Sequence, residues 1–166
     1  GLFESLNVEP VKKSVRGSPL KVSIERNGKE FFLNQVGVGV SQVVPVLVEL
    51  IFEAGGRQHA AVLLQQPELH LHPVAQAAFG SFLFRLRESL PGLIVETHSN
   101  FLIDRYRAEM REHNTGVDES ARLLFCQHFK DGNTVKEVEI ASDGKFIEPP
   151  YEYFSFFLSE LDRTTF

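Results

Sequence analysis

"AVLLQQPELHLHPVAQAAFG", residues 61–80, sets the architecture of this chain. An apolar run ends in two glutamines, a proline, one acid and two histidines spaced i, i+2. The continuous apolar run 59–65 is what a strand buried on both faces of a parallel sheet looks like. From Pro73 onward apolar residues recur at helical spacing, with proline at the first helical position, so a helix is expected over 73–90.

The flanking segments repeat this alternation. "GLIVETHS", 92–99, reads as a second short buried strand ending in polar residues, and "NFLIDRYRAEMREH", 100–113, as an amphipathic helix capped by Ser99 or Asn100. Upstream, "VGVGVSQVVPVLVELIFEAGG", 36–56, carries glycines, then a candidate N-cap at Ser41, and an apolar run to Phe52 that Gly55-Gly56 stops. Pro45 would fall in the first turn after Ser41, where proline is tolerated. "LKVSIERNGKEFFL" alternates around Asn27-Gly28, a type I′ hairpin signal that places strands at 20–26 and 29–34. Residues 121–129 and 134–140 read as strands about a turn at Asp131-Gly132-Asn133, and 151–163 as a short amphipathic helix. Residues 1–18 are polar and read as a lead-in or a cut end, and 19–166 as a single lobe. The expected fold is α/β: a mainly parallel sheet with flanking helices, plus an N-terminal β-hairpin.

The chain has 166 residues, 43% of them hydrophobic and 23% charged, enough for one core. The net charge of −5 argues against a whole-surface nucleic-acid binder. DNA as a partner therefore has no support from charge. The one cysteine, Cys126, excludes an internal disulfide, and its apolar neighbours suggest a buried small hydrophobe. The first residues lack the pattern of a signal peptide, and no apolar run approaches the ~20 residues of a membrane helix. A soluble cytoplasmic protein without membrane contact is the expectation.

Polar residues cluster just past the two central strands, Gln65 to His72 and Glu96 to Ser99. In open α/β sheets that edge is where ligands bind. "VGVGVSQ" could offer backbone N–H groups to a phosphate at a helix N-terminus, but it is equally readable as a plain glycine turn; it is neither the dinucleotide fingerprint nor a P-loop. "ETHS" places His98 beyond a strand, where it can exchange a hydrogen bond near neutral pH or merely cap the next helix. Glu68, His70, His72 and His98 could together bind zinc, but His70 and His72 share a side only in an extended segment, and neither H-E-x-x-H nor a cysteine ligand accompanies them.

"VGVGVSQVVPVL" (36–47), "AVLLQQPELHLHPVAQAAFG" (61–80) and "LIVETHSNFLIDRYR" (93–107) together resemble the second half of an ABC-type ATPase head. They are most similar to the bacterial AAA/OLD-like ATPases, relatives of SMC-type heads. The resemblance covers about residues 30–110, and "VEIASDGKFIEPPYEYFSFF" (138–157) extends it more weakly. It implies a P-loop NTPase lobe working with ATP and Mg²⁺. Gly37, Gly39, Ser41 and Gln42 would form the signature loop that touches the γ-phosphate of ATP on the partner subunit. Gln65 would occupy the place of the acid that holds Mg²⁺ through water, and Gln66 that of the glutamate that polarises the attacking water. "ELHLHP", with His70 and His72, would be the D-loop at the homodimer interface, and His98 the switch histidine.

Two departures from that family stand out. Both strand-end acids are amides, which supply a dipole but neither a negative charge nor a general base. Glu68, the nearest acid in sequence, is the candidate to compensate. In addition, no Walker A sequence occurs: Gly28-Lys29 and Gly144-Lys145 are not followed by Ser or Thr. The expected activity is thus ATP hydrolysis only when a Walker A-containing N-terminal segment completes the head, with a nuclease or other effector outside this chain. The alternatives are a degenerate, non-hydrolysing interaction module and a metal hydrolase built on Glu68, His70, His72 and His98.

Overall fold

The computed structural model describes residues 3–12, 18–56, 61–90, 92–113 and 121–164, without the side chains of 156–158, 160–161 and 163–164. Two compact units divide the chain, Gly1–Tyr106 and Arg107–Phe166.

The first unit begins with an antiparallel sheet of β1 (Ser5–Pro10), β2 (Leu20–Arg26) and β3 (Lys29–Phe32), in that order. Asn27 and Gly28 both have positive φ (52° and 68°), as a type I′ turn requires, and they bring Arg26 opposite Lys29. Ser5–Pro10, expected only as part of a polar lead-in, pairs with β2 from Ser5↔Glu25 to Pro10↔Leu20. After β3 a 3-10 turn, Leu33–Gln35, leads to α1 (Val38–Ala54). The N-cap is Gly37 rather than Ser41, so Pro45 lies inside the helix instead of in its first turn. Ser41 donates its hydroxyl to the Val38 carbonyl at 2.9 Å.

β4 (Val62–Gln65) is followed by α2 (Pro73–Leu86), β5 (Leu93–Glu96) and α3 (Asn100–His113). The expected helix over 73–90 ends at Leu86 and continues as a 3-10 turn, Arg87–Ser89. β4 and β5 pair in parallel, from Val62↔Leu93 to Gln65↔Glu96, because the intervening helix supplies the crossover such a pair needs. One face of the pair packs through Val62, Leu64, Leu93 and Val95 against a core that includes Val43, Leu50, Phe79, Leu83 and Leu102. The other face is uncovered: Leu63 is 73% and Ile94 60% exposed. The expectation of strands buried on both faces therefore fails for this pair. Gly80 lets α2 and α3 approach closely, since a Cβ there would sit 2.4 Å from the Leu102 carbonyl oxygen.

The second unit contains β6 (Arg122–Phe129), β7 (Gly132–Ile140), β8 (Phe146–Ile147) and α4 (Tyr151–Thr164). All three strands are antiparallel, in the order β6-β7-β8. The short turn between β6 and β7 permits no other pairing. Val138, Ile140 and Met110 are buried, and Tyr153 meets the rings of Phe125 and Phe146 edge-on at 5.6 and 5.2 Å. Arg107 stacks on Phe146 and donates from Nε to the Gly144 carbonyl at 2.7 Å. Cys126 is exposed, not buried, because β6 alternates and its even-numbered residues face outward.

The α/β class and the N-terminal hairpin are those expected. The parallel arrangement is carried by β4 and β5, and the other described strands pair antiparallel.

Candidate functional site

The site lies at the C-terminal edge of β4 and β5. Gln65 and Glu96 end the two strands as a register pair. Gln66 continues the ladder by donating its N–H to the Glu96 carbonyl at 2.8 Å, then leaves the strand with φ of 43°. Glutamine is an uncommon occupant of that left-handed region, so the corner is locally strained. Two tight turns follow, with Leu69 N–H on the Gln66 carbonyl and Leu71 N–H on the Glu68 carbonyl, at 3.2 and 2.9 Å.

The first turn of α1 rests on this loop. A Cβ on Gly39 would come within 2.3 Å of the His70 carbonyl oxygen, so only glycine allows the approach. Gly39, Gln42, Gln65, Gln66 and His70 help line a cavity of about 190 Å³. The structure thus brings together Gly39 and Gln42 from one sequence motif and both glutamines from another. Gly37 caps α1, and Ser41 is spent on its own helix backbone.

Glu68 behaves unlike the rest. It is 4% exposed, and its Oε1 accepts from Thr97 Oγ1 at 2.5 Å and from His98 N–H at 3.1 Å. Its Oε2 is buried without a hydrogen-bond partner. The carboxylate therefore joins the loop after β4 to the loop after β5 and does not line the cavity. Thr97 Oγ1 in turn accepts from Ser99 N–H at 3.0 Å. Ser99 caps α3 by accepting from Leu102 N–H at 3.1 Å, and donates to Gln76 Oε1 at 2.6 Å. Gln76 closes the chain of bonds by donating to the Leu71 carbonyl at 2.9 Å. His98 is exposed beyond β5. His72 caps α2, its Nδ1 accepting from Val74 N–H at 3.4 Å.

Glu68, His70, His72 and His98 are not gathered into a ligand set. Among the described residues no group of three His, Cys, Asp or Glu side chains could hold a metal ion by itself. A Mg²⁺ ion shared with nucleotide phosphates asks less of a protein, one or two carboxylates being enough. Glu96, the acid at the strand ends, is exposed on the same face as Gln65, and its carboxylate is of the chemistry such an ion takes. Sequence reading puts Glu96 and Thr97 in the polar cluster at this edge without giving either a role, and it missed Gln76. Only the pairing register gives Glu96 its place beside Gln65, and only the loop packing gives Thr97 and Gln76 theirs.

Residues 17–104 match the family model described as "AAA domain, putative AbiEii toxin, Type IV TA system". No curated protein matches the chain. A solved structure from work on ATP-driven dimerization and DNA-stimulated activation of SMC ATPases is similar, with a TM-score of 0.65 at 10% identity, over 97% of this chain and 84% of that one. A Pyrococcus furiosus Smc head domain with an extended coiled coil, bound to the C-terminal domain of ScpA, is also similar, with a TM-score of 0.59 at 7% identity. That match covers 95% of this chain and spans a third (33%) of the other. At these identities the likeness is one of fold. No helix among the described residues is long and apolar enough to cross a membrane.

Proposed function

The chain belongs to the AAA-domain family whose model it matches over residues 17–104, and on that premise we propose that it is the C-terminal lobe of an ATP-driven head. A Walker A-containing segment, absent from these 166 residues, would complete it. ATP would then join two heads, and hydrolysis would release them.

The observation that carries this reading is the bare face of the β4–β5 pair. Parallel strands are almost always covered on both faces. Here Leu63 and Ile94, two register steps before the strand ends and so on the same face as Gln65 and Glu96, are 73% and 60% exposed. A further α/β layer would cover them and set a P-loop beside the strand-end row.

In that head, Gly37, Gly39, Ser41 and Gln42 at the start of α1 would face the γ-phosphate of the partner's ATP, where helix N–H groups favour an anion. Gln66 would orient the attacking water, and His98 would sense the γ-phosphate. Mg²⁺, when bound, would neutralise phosphate charge beside Gln65. The exposed His70 and His72 would lie at the interface with a second copy. Two amides at the acid positions predict slow turnover, because an amide orients water but takes no proton.

The test is co-expression with a Walker A-containing segment of the same ATPase class. The assembled protein should hydrolyse ATP and dimerise with it, and Gln65→Glu should raise the rate. The chain alone should bind ATP weakly; sub-millimolar affinity by calorimetry would overturn the reading. The two amides also favour a second reading, a non-hydrolysing interaction module. It predicts a homodimer that forms through the 68–73 loop without ATP.

A further inference from the structure

The head reading leaves one chemical problem. Gln65 stands where a carboxylate is needed, and a neutral amide cannot supply the charge that draws a divalent cation out of water. The segments that form the edge, 65–72 and 96–99, contain two acids, Glu68 and Glu96. Glu68 is committed elsewhere: it is buried, and its Oε1 holds Thr97 Oγ1 and His98 N–H. Glu96 is placed differently. It is the register partner of Gln65 at the end of the adjacent parallel strand. Alternation puts both side chains on the exposed face that also carries Leu63 and Ile94. Neighbouring strands run about 4.8 Å apart, so a carboxylate on β5 can reach an ion served from the end of β4.

Building on the proposed function, we infer that Glu96 is the cation-holding carboxylate of this site, displaced by one strand from Gln65. The pair Gln65–Glu96 then acts as one unit, the amide oxygen and the carboxylate sharing a single divalent cation whose remaining positions go to water and phosphate. One carboxylate with solvent and phosphate oxygens is an ordinary Mg²⁺ environment. The backbone supports the pairing from both sides. Gln65 and Glu96 close the ladder, and the bond from Gln66 N–H to the Glu96 carbonyl fixes the register one residue further. Glu96 also explains how Gln65 and Gln66 can both be amides without leaving the exposed face of the edge uncharged.

The experiment uses the whole chain without nucleotide, with Mn²⁺ as a paramagnetic stand-in for Mg²⁺. Amide signals of Gln65, Gln66, Glu96 and Thr97 should broaden first as Mn²⁺ is added. Glu96→Gln should raise the Mn²⁺ concentration needed by about tenfold or more. The exchanged variant, Gln65→Glu with Glu96→Gln, should recover wild-type response within about threefold. Both positions are exposed, and unchanged thermal midpoints would show that the variants fold. Broadening confined to the histidines, an unaltered response in Glu96→Gln, or no recovery in the exchanged variant would each overturn the inference. These readings need no ATP hydrolysis, so they separate failure of the cation site from failure of the completed head.

Discussion

Replacing Glu68 with alanine should loosen the edge and leave its charge row intact. Glu68 Oε1 accepts two hydrogen bonds, one from Thr97 Oγ1 and one from His98 N–H. Bonds to a charged acceptor contribute about 1.5–3 kcal/mol each, so their loss removes roughly 3–6 kcal/mol. The orphaned Oε2 works against this. Deleting it relieves a desolvation penalty of about 1–3 kcal/mol. The net loss expected for Glu68→Ala lies between about 0 and 5 kcal/mol, with a midpoint of about 2–3 kcal/mol. Glu68→Gln retains an acceptor at the Oε1 position and removes a buried charge, so it should stay within about 1 kcal/mol of the parent. Urea unfolding midpoints measure the difference, and amide exchange at His98 locates it. His98 should lose protection in Glu68→Ala and keep it in Glu68→Gln. Thr97→Val should be non-additive with Glu68→Ala, with a coupling of about 1–2 kcal/mol. Equal losses in the alanine and glutamine variants would refute the argument, because they would show that charge rather than the shared oxygen holds the loops.

Gly39→Ala should cost about 1–3 kcal/mol, read from thermal unfolding, since its Cβ would meet the His70 backbone oxygen at 2.3 Å and backbone cannot yield cheaply. Gly37→Ala, whose Cβ meets nothing within 4 Å, should cost less than about 1 kcal/mol, the loss of a glycine cap. Leu63→Thr and Ile94→Thr, at positions 73% and 60% exposed, should change the stability of this chain by less than about 0.5 kcal/mol, yet weaken association with a Walker A-containing lobe in a pull-down titration. Asp143 should titrate below the usual carboxylate range, chiefly because the Lys145 side chain bonds it at 2.7 Å, with help from the Lys145 N–H at 3.0 Å. With its folded-state value depressed, its contribution is present above the ordinary carboxylate range and lost as pH falls through the folded value. Lys145→Ala should move the Asp143 carboxyl titration, followed by NMR, upward.

The central elements were legible because strong punctuation brackets them. Pro73 opens α2, Ser99 caps α3, and Asn27-Gly28 can scarcely be anything but a hairpin turn. β1 was not legible, since Ser5–Pro10 is polar and largely exposed and acquires strand character only from its pairing with β2. The start of α1 was displaced because a glycine cap makes no side-chain bond, so Ser41 offered the stronger local signal. Leu63 and Ile94 were read as buried because composition reports what a surface is suited to, not what covers it. The candidate site divides in the same way. Gln65, Gln66 and the glycines are singled out by the family resemblance, whereas the burial of Glu68 and the exposure of Glu96 follow from loop packing and strand register, which one-dimensional spacing does not encode.

The left-handed backbone of Gln66 makes the corner after β4 a small spring. A residue held there stores about 1–3 kcal/mol, recovered if the backbone relaxes to an extended form. Two bonds keep it wound: its own N–H on the Glu96 carbonyl, and Leu69 N–H on its carbonyl. Through the first of these bonds, a slip of β5 against β4 would bear directly on the torsion of Gln66. The residue proposed to orient water is thus mounted on a left-handed corner whose torsion is tied to the neighbouring strand.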